Sequence, residues 1–201
     1  MGYHRAGFEV VGVDIKPQPN YPFEFHQADA LTFPLDGFDA IHASPPCQHF
    51  TRYRNVHKDI HERYEDLIDP TRFRLRSAHV PYVIENVEGS PLKAPVKLCG
   101  SMFGLEVRRH RLFESNMPLV QPECDHSVWV ERKYPGSTGR ARRFTCEVGV
   151  WRIPLAEQRA AMGDVSWMQL RELSESIPPA YTEYIGRQLL DALVGRKEPA
   201  A

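Results

Sequence analysis

The sequence lacks several features that would assign it to a familiar class of protein. Its 201 residues contain no apolar run of roughly 18 residues, so we expect no membrane-spanning helix. The first residues, Met1–Arg5, lack the apolar stretch of a secretion signal. Lys and Arg number 25 against 26 Asp and Glu, which excludes a histone-like basic protein. A local basic patch for nucleic acid remains compatible with this balance.

Cysteine pairs of the CxxC type are also absent. The four cysteines, Cys47, Cys99, Cys124 and Cys146, are unevenly spaced, which does not indicate a disulfide framework. We therefore expect a reducing cytoplasm. Cys99, Cys124 and Cys146 offer zinc ligands together with His126, but their spacing matches no standard zinc motif. The sequence thus predicts no metal site.

Short apolar runs that end in polar residues indicate the fold. Residues 10–15, 38–44 and 82–87 read as buried strands, and residues 57–79 have a helical composition interrupted at Pro70. This alternation predicts an α/β domain with a mainly parallel sheet. Residues 155–162 and 170–193 return to a helical pattern, and an apolar stripe runs every four residues along the second, at Tyr181, Ile185, Leu189 and Leu193.

Chemically capable residues gather where these strands end, the place at which parallel sheets bind ligands. Asp14 ends the first run, Cys47 follows two prolines after the second, and Glu85 closes the third. Cys47 is a candidate nucleophile, although a lone cysteine is more often structural. Glu85 is a candidate proton donor if burial raises its pKa, or else a solvent-facing carboxylate.

The run at residues 108–111 supplies cations. Alternate residues of an extended segment share a face, so Arg109 and Arg111 are expected to point together as a clamp for phosphate or a base. A solvated surface run is the alternative reading.

The order of these segments resembles the DNA cytosine-5 methyltransferases. That family has Pro-Cys-Gln, then Glu-Asn-Val, then Arg-x-Arg, which match Pro46–Gln48, Glu85–Val87 and Arg109–Arg111. Ile177–Pro179, followed by a helix with Ile185 and Gly186, looks like the family's last motif. The resemblance spans nearly the whole chain and implies a Rossmann-like fold that uses S-adenosylmethionine.

The resemblance also implies roles for these residues. Cys47 would add to C6 of a cytosine flipped out of double-stranded DNA, and Glu85 would hydrogen-bond or protonate N3. C5 would then take the methyl group. Arg109 and Arg111 would hold the flipped base, and the remaining substrate or DNA contacts would come from Gln48 and from Asn86, which shapes the loop that aims Glu85.

Cofactor and DNA contacts follow by position. Asp14 would hold the ribose hydroxyls of the cofactor, Ile15 and Pro45 would lie against it, and Asp29 would accept from the adenine amino group. Residues 1–114 would form the catalytic core, 115–154 a short basic recognition insertion, 155–195 the returning helices and 196–201 a tail. In the insertion, the expected phosphate contacts are Arg140, Arg142 and Arg143.

The sequence departs from the family at its beginning. The Gly-rich turn that cradles the methionine end of the cofactor, with the strand before it, has no counterpart ahead of Phe8. An upstream segment or a second polypeptide would supply it, or the chain is a weakened relative. Val107 also replaces the Gln that usually precedes Arg-x-Arg, and Ser174-Glu175 replaces a Gly-Asn.

Three other functions fit parts of the pattern. A non-catalytic DNA-binding relative would keep the fold and leave Cys47 unused. An amino-methyltransferase acting on cytosine N4 or adenine N6 has Ser-Pro-Pro before an aromatic residue, and Ser44–Pro46 matches all but the last position. A thymidylate-synthase-like enzyme also uses a Pro-Cys nucleophile, but there His follows the cysteine in place of Gln48.

Overall fold

The computed structural model describes residues 1–50, 64–127, 130–132, 142–144 and 146–197. The fold is mixed α/β. Its strands are β1 (Val11–Asp14), β2 (Glu24–Gln27), β3 (Ile41–Ala43), β4 (Tyr82–Asn86), β5 (Val96–Leu98), β6 (Arg111–Ser115), β7 (Val130–Arg132) and β8 (Arg142–Phe144). Its helices are α1 (Gly2–Ala6), α2 (Ile68–Ser77), α3 (Leu155–Ala161), α4 (Leu170–Glu175) and α5 (Pro179–Lys197), with 3₁₀ turns at Gln48–Phe50 and Gly100–Phe103.

The strands form three sheets in the part of the chain that is described. Strands β1 and β2 pair in parallel, and a four-stranded sheet has the order β3-β4-β6-β5. In the larger sheet β3 and β4 are parallel, while β6 runs antiparallel to both of its neighbours. Strands β7 and β8 form an antiparallel pair. The α/β class is therefore confirmed.

The prediction of a mainly parallel sheet is wrong for the second half of the chain. Parallel neighbours need a long crossover, usually a helix, whereas antiparallel strands can be joined by a short connection. Residues 99–110, between β5 and β6, contain only a 3₁₀ turn. The chain therefore reverses direction there, and β6 inserts between β4 and β5.

Strands with a continuous apolar run were predictable, and the others were not. The expected strands at 10–15, 38–44 and 82–87 are observed as β1, β3 and β4, each shorter than predicted. Strand β2 has the sequence EFHQ and a mostly exposed pattern, so no apolar run marks it. Of the helix expected at 57–79, Ile68–Ser77 is observed, residues 64–67 and 78–79 are not helical, and 57–63 lie outside the described residues. The expected interruption at Pro70 is not seen, because Pro70 lies in the first turn, where a missing N–H costs nothing.

Helix α5 supplies the main core. Its stripe of Tyr181, Ile185 and Leu189 is buried against Val83 and Phe113 of the large sheet, as the four-residue spacing predicted. The helical pattern over 170–193 is broken, however, into α4 and α5. Pro178 and Pro179 follow the end of α4, and a proline there removes the backbone donor that would continue the helix.

Helix α1 packs closely on α5 because Gly186 lacks a side chain. A Cβ atom at Gly186 would lie 2.8 Å from the Cβ atom of Ala6 and 3.0 Å from the ring of Tyr3. This contact holds Tyr3 near the carboxyl end of β3, where its hydroxyl is used below.

A buried ion pair fixes α2 against the sheet. Arg72 donates from Nε and Nη2 to the two carboxylate oxygens of Glu114 in β6, both at 2.7 Å. The backbone N–H of Lys93 also donates to Glu114. Breaking such a buried pair by removing one partner costs about 3–5 kcal/mol, so the pair holds α2 in place.

A cavity separates the two parallel pairs of strands. Within the described residues no backbone pairing joins β1 to β3. The cavity has a volume of about 440 Å³ and is lined from residues 10–14 on one side and 38–44 on the other, with Tyr3 and Tyr21 at its edges. No helix in the described ranges is both long and apolar enough to cross a membrane.

Candidate active site at Cys47 and Glu85

The first part of the site follows from the pairing of two parallel strands. Ala43 in β3 lies opposite Ile84 in β4, so the ends of these strands are neighbours. Cys47 lies in the loop after β3 and is half-buried. Glu85 lies in β4, all of whose residues are buried, and is itself only 7% exposed. The buried position predicted for Glu85 is observed.

Asn86 ties the cysteine loop to the end of β4. Its side-chain amide donates from Nδ2 to the carbonyl oxygen of Pro45 at 2.9 Å, and its Oδ1 accepts from the N–H of Val87 at 2.9 Å. The N–H of Phe50 then donates to the carbonyl of Cys47 at 2.9 Å, closing a 3₁₀ turn. The loop bearing the thiol is thus fixed to the strand bearing Glu85.

Strand β6 and the segment before it bring the cations. The Nε atom of Arg111 lies 3.1 Å from Oε1 of Glu85, and both side chains are largely buried. Arg109 donates from Nη2 to the carbonyl of Ser174, and Tyr181 donates to the carbonyl of Arg109 at 2.7 Å. The Nε–H of Arg109 is buried and has no hydrogen-bond partner within the described chain. An unsatisfied buried donor of this kind is suited to a ligand acceptor.

Burial dominates the electrostatics of the two reactive groups. Desolvation raises the pKa of Glu85, against the opposing effects of Arg111, a hydrogen bond from Ser44 and Arg109. Desolvation likewise raises the pKa of the Cys47 thiol, although Arg111 and Arg109 act to lower it. Cys47 therefore does not have the low pKa that favours a nucleophilic thiolate. Glu85 does have the raised pKa that favours a protonated carboxyl.

A chain of hydrogen bonds extends from Glu85 to the far side of β3. Ser44 bonds Glu85, and His42 Nε2 lies 3.0 Å from the Ser44 hydroxyl. The Tyr3 hydroxyl lies 2.7 Å from His42 Nδ1, and burial lowers the pKa of His42 to about 4. A neutral imidazole with its proton on Nε2 satisfies every link. These linked hydrogen bonds were not predicted from the sequence, although His42 and Ser44 share one face of an extended segment.

Three of the expected cofactor residues, Asp14, Ile15 and Asp29, lie at the carboxyl end of the β1–β2 pair, whereas Pro45 lies in the loop after β3. Neither Ile15 nor Pro45 lines the cavity. Asp14 borders the cavity and accepts at Oδ1 from the N–H of Lys16 and at Oδ2 from Gln18. Ile15 is 68% exposed, which is unusual for an isoleucine. Asp29 is exposed and accepts from the N–H of Leu31, whereas the carbonyl of Pro45 is taken by Asn86. Asp29 does not line the cavity.

The expected DNA contacts are only partly described. Gln48 begins the 3₁₀ turn beside Cys47. Arg142 and Arg143 lie in β8, where they stand in register with Arg132 and Glu131 of β7. Arg140 lies outside the described residues.

Models of known protein families and curated proteins give no match to this chain. The site itself combines a thiol, a protonatable carboxyl and two guanidinium groups that act on one another's charge. Such a set can add a nucleophile to a polar ring while neutralising the charge that the addition creates.

Proposed function

We propose that this chain is the catalytic part of an S-adenosylmethionine-dependent DNA cytosine-5 methyltransferase with a Rossmann-like core. The observation that carries the proposal is the buried Glu85–Arg111 pair, at 3.1 Å, beside the Cys47 loop that Asn86 ties to the same strand. The motifs resembling that family thus meet at one place, although they are separated along the chain.

In this mechanism Cys47 and Glu85 act on opposite sides of the same ring. The Cys47 sulfur forms a bond to C6 of cytosine, and the electron pair displaced from the C5–C6 bond moves toward N3. Glu85 donates a proton or hydrogen bond at N3, for which its raised pKa is suited. C5 would then bond to the methyl group as the bond from that group to the donor's sulfur breaks. Loss of the C5 proton to a base, release of Cys47 and return of the N3 proton to Glu85 would restore the ring and the site.

The thiol must lose its proton before this addition. Because burial raises the pKa of Cys47, the chain without DNA holds it as a thiol. The charges of Arg111 and Arg109 favour the Cys47 thiolate, whereas the negative charge of Glu85 opposes it. Protonation of Glu85 removes that opposing charge. The two protonation changes are thus coupled: gain of a proton by Glu85 favours loss of the proton from Cys47, as the addition to the base requires.

Arg109 and Arg111 hold the base in the site. A cytosine inside a duplex is inaccessible to Cys47, so the target nucleotide must be flipped out of the stack. The free Nε–H of Arg109 can donate to the base or to its phosphate. Arg111 keeps Glu85 directed at the ring through their ion pair.

The residues at the β1–β2 end fit one half of the cofactor. The cavity of about 440 Å³ beside Asp14 is in the size range of small-molecule sites. Each Asp14 oxygen accepts one hydrogen bond and retains capacity for a ribose hydroxyl, and exposed Ile15 can cover an adenine face. S-adenosylmethionine, when bound, supplies an electrophilic methyl group. The backbone donors for its methionine end would come from outside these residues, either upstream or from a second polypeptide.

A non-catalytic DNA-binding relative is the second candidate. Two observations favour it: the raised pKa of Cys47, and the lack of pairing between β1 and β3 in the described chain. In that case Cys47 would never form a bond to the base, while the basic insertion would still bind phosphates.

Covalent trapping tests the proposal. Duplex DNA carrying 5-fluorocytosine is mixed with the chain and S-adenosylmethionine, and a denaturation-resistant complex is sought. Fluorine blocks the last elimination, so a working enzyme stays bonded to its substrate. The complex should form with the wild type and with Cys146→Ala, a matched cysteine variant away from the site, but not with Cys47→Ala.

A second readout separates cofactor failure from failure of the nucleophile. Addition of Cys47 to C6 makes the C5 hydrogen exchangeable, so duplex DNA tritiated at C5 should release tritium to water even without cofactor. Tritium release without a covalent complex would show that Cys47 still adds to the base and that the defect lies in cofactor binding. No release and no trapping, with DNA binding equal in Cys47→Ala, would reject the enzyme and support the binding protein.

A further inference from the structure

A cluster of soft metal ligands lies on the other side of the segment that carries Arg109 and Arg111. It consists of Cys99, His110, Cys124 and His126, whose ligand atoms all lie within 4.8 Å of one another. Cys99 directly follows β5, His110 directly precedes β6, and the other two lie on the chain leading to β7. Cys99 is buried and the other three are half-buried.

We propose that these four residues bind one structural Zn²⁺ ion. Tetrahedral sites with two thiolates and two imidazoles are a preferred zinc environment. Bond lengths of about 2.3 Å to sulfur and about 2.0–2.1 Å to nitrogen place ligand atoms about 3.6 Å apart for sulfur–nitrogen and about 3.3 Å for nitrogen–nitrogen.

Four of the six distances in the cluster lie within about 0.6 Å of these values, and all six are within 4.8 Å. Nε2 of His126 lies 3.4 Å from the sulfur of Cys99 and 3.0 Å from that of Cys124. Nε2 of His110 lies 3.7 Å from the Cys124 sulfur and 3.2 Å from Nε2 of His126. Both imidazoles thus present the same nitrogen to the same small volume.

Hydrogen bonds alone do not account for the cluster. A neutral imidazole nitrogen offers one proton or one lone pair, yet Nε2 of His126 has three polar neighbours at 3.0–3.4 Å. A disulfide does not account for it either, because Cys99 and Cys124 are free cysteines and two histidines face them. A cation at the centre gives all four atoms a common partner.

The surroundings support the assignment. Nδ1 of His110, the nitrogen turned away from the cluster, lies 3.2 Å from a carboxylate oxygen of Glu88. A carboxylate behind a histidine orients the ring and makes the other nitrogen a better ligand. Arg108 donates to the carbonyl of His126 and so fixes residues 124–126 to the segment that carries His110.

All four ligands come from the protein, so the site has no open position for substrate and is structural. The ion would join the end of β5, the start of β6 and the approach to the basic insertion. Since His110 lies between Arg109 and Arg111, the same ion would set the backbone from which Arg111 pairs with Glu85 and Arg109 bonds the carbonyl of Ser174.

Metal content of the purified full chain tests this proposal. Protein from zinc-supplemented culture, kept reduced, should hold one equivalent of zinc by mass spectrometry. Cys99→Ser, Cys124→Ser, His110→Gln and His126→Gln should each lose it, whereas the matched controls Cys146→Ser and His26→Gln should keep it. Glu88→Gln, which changes no ligand, should weaken zinc binding about 10- to 100-fold.

The wild type alone provides a second measurement in case ligand variants fail to fold. X-ray absorption at the zinc edge should show two sulfur and two nitrogen neighbours, and cobalt substitution should give the intense visible spectrum of a tetrahedral thiolate site. Zinc-free wild type that binds none on titration, a Cys99–Cys124 disulfide in reduced preparations, or another sulfur number would overturn the proposal. These readouts do not depend on methyl transfer.

Discussion

One short segment, residues 108–111, has two faces with opposite chemistry. On one face Arg111 pairs with Glu85, and both Arg109 and Arg111 act to lower the pKa of Cys47. On the other, His110 joins His126, and Arg108 holds the backbone of His126. The first face has raised pKa values and an unsatisfied donor, as reactive sites do. The second has soft ligands converging on one point, as structural metal sites do.

The comparison teaches how a single extended segment can serve two sites. Alternate side chains of such a segment point in opposite directions, so Arg-x-Arg leaves its middle residue facing away. Constraining His110 from behind therefore constrains the arginines in front without any ligand entering the active site. If this view is correct, changes on the reactive face should leave the metal face intact, whereas loss of the metal should also weaken the reactive face.

Metal removal should have the largest effect. A ligand present at about a thousand times its dissociation constant stabilises by about 4 kcal/mol, which corresponds to a fall of about 10 °C in Tm for a chain of this size. We expect a strong chelator to lower Tm by this amount in calorimetry and zinc to restore it. In Cys99→Ser the chelator should change nothing further; an equal fall in both proteins would contradict the assignment.

Arg111→Ala should abolish the reactive face and leave the metal face intact. Removing a charged group that stabilises developing charge slows reactions by about 100- to 1,000-fold, and Glu85 loses its ion-pair partner. We expect this loss in the rate of trapping on 5-fluorocytosine DNA, with zinc content unchanged. Arg108→Ala, which removes a neighbouring cation but leaves the Glu85–Arg111 pair and all four zinc ligands in place, should trap DNA much faster than Arg111→Ala. Equal losses in the two variants would mean that the ion pair with Glu85 is not the cause.

Asn86→Ala should loosen the cysteine loop. The carbonyl of Pro45 and the N–H of Val87 both lose their partner, which costs about 1–3 kcal/mol where such groups are buried. Urea unfolding should show this loss of stability. Trapping should slow as well, because Cys47 is no longer fixed to the strand of Glu85. Trapping at the wild-type rate would show that the loop is positioned by other contacts.

The pH dependence of stability should report the burial of Glu85. Its folded pKa is raised, so the folded chain keeps this proton to higher pH than the unfolded chain does. The stability from that proton is complete below the ordinary carboxyl pKa and is lost as pH rises through the raised value. Glu85→Gln cannot titrate, so the stability of wild type minus that of the variant should fall with rising pH across this window.

Urea unfolding at a series of pH values measures that difference. Loss of zinc at low pH affects both proteins and cancels. Glu183→Gln, which removes a carboxyl from the α5 ion pair with Arg187, serves as the matched control. A flat difference curve would show that folding leaves the pKa of Glu85 unshifted, and a rising one that folding lowers it; either result would contradict the raised pKa that suits Glu85 as a proton donor.

Tyr3→Phe should have the smallest effect. It removes one hydroxyl at the far end of the chain that runs through His42 and Ser44 to Glu85. We expect less than about a tenfold change in trapping rate, in line with one neutral hydrogen bond. The informative readout is the pH profile: a shift of its acidic limb would link Tyr3 to Glu85, whereas an unchanged profile would make Tyr3 a packing residue only.

Some residues of the candidate site could be predicted from the sequence, and others could not. Cys47 and Glu85 were predictable because each lies at the end of an apolar run that predicts a strand, and Arg111 was predictable because it alternates with Arg109 in a run of cations. His42 was not predictable as a site residue, because a single histidine within a short strand forms no recognisable motif. For the cluster of soft ligands, the set considered from the sequence included Cys146 and left out His110, which the structure places beside Cys124 and His126. Cys146 is buried and its sulfur lies 3.6 Å from the carbonyl of Glu147, within its own short segment.

The sequence by itself determined the α/β class, the strands with apolar runs and the buried stripe of α5, because burial imposes local periodicity on the chain. It also determined which residue types stand at the strand ends. Only the tertiary structure decided that β6 inserts antiparallel between β4 and β5, and that Cys99, His110, Cys124 and His126 converge. Those features depend on which distant segments meet, and neither strand order nor ligand geometry has a signature in residue spacing.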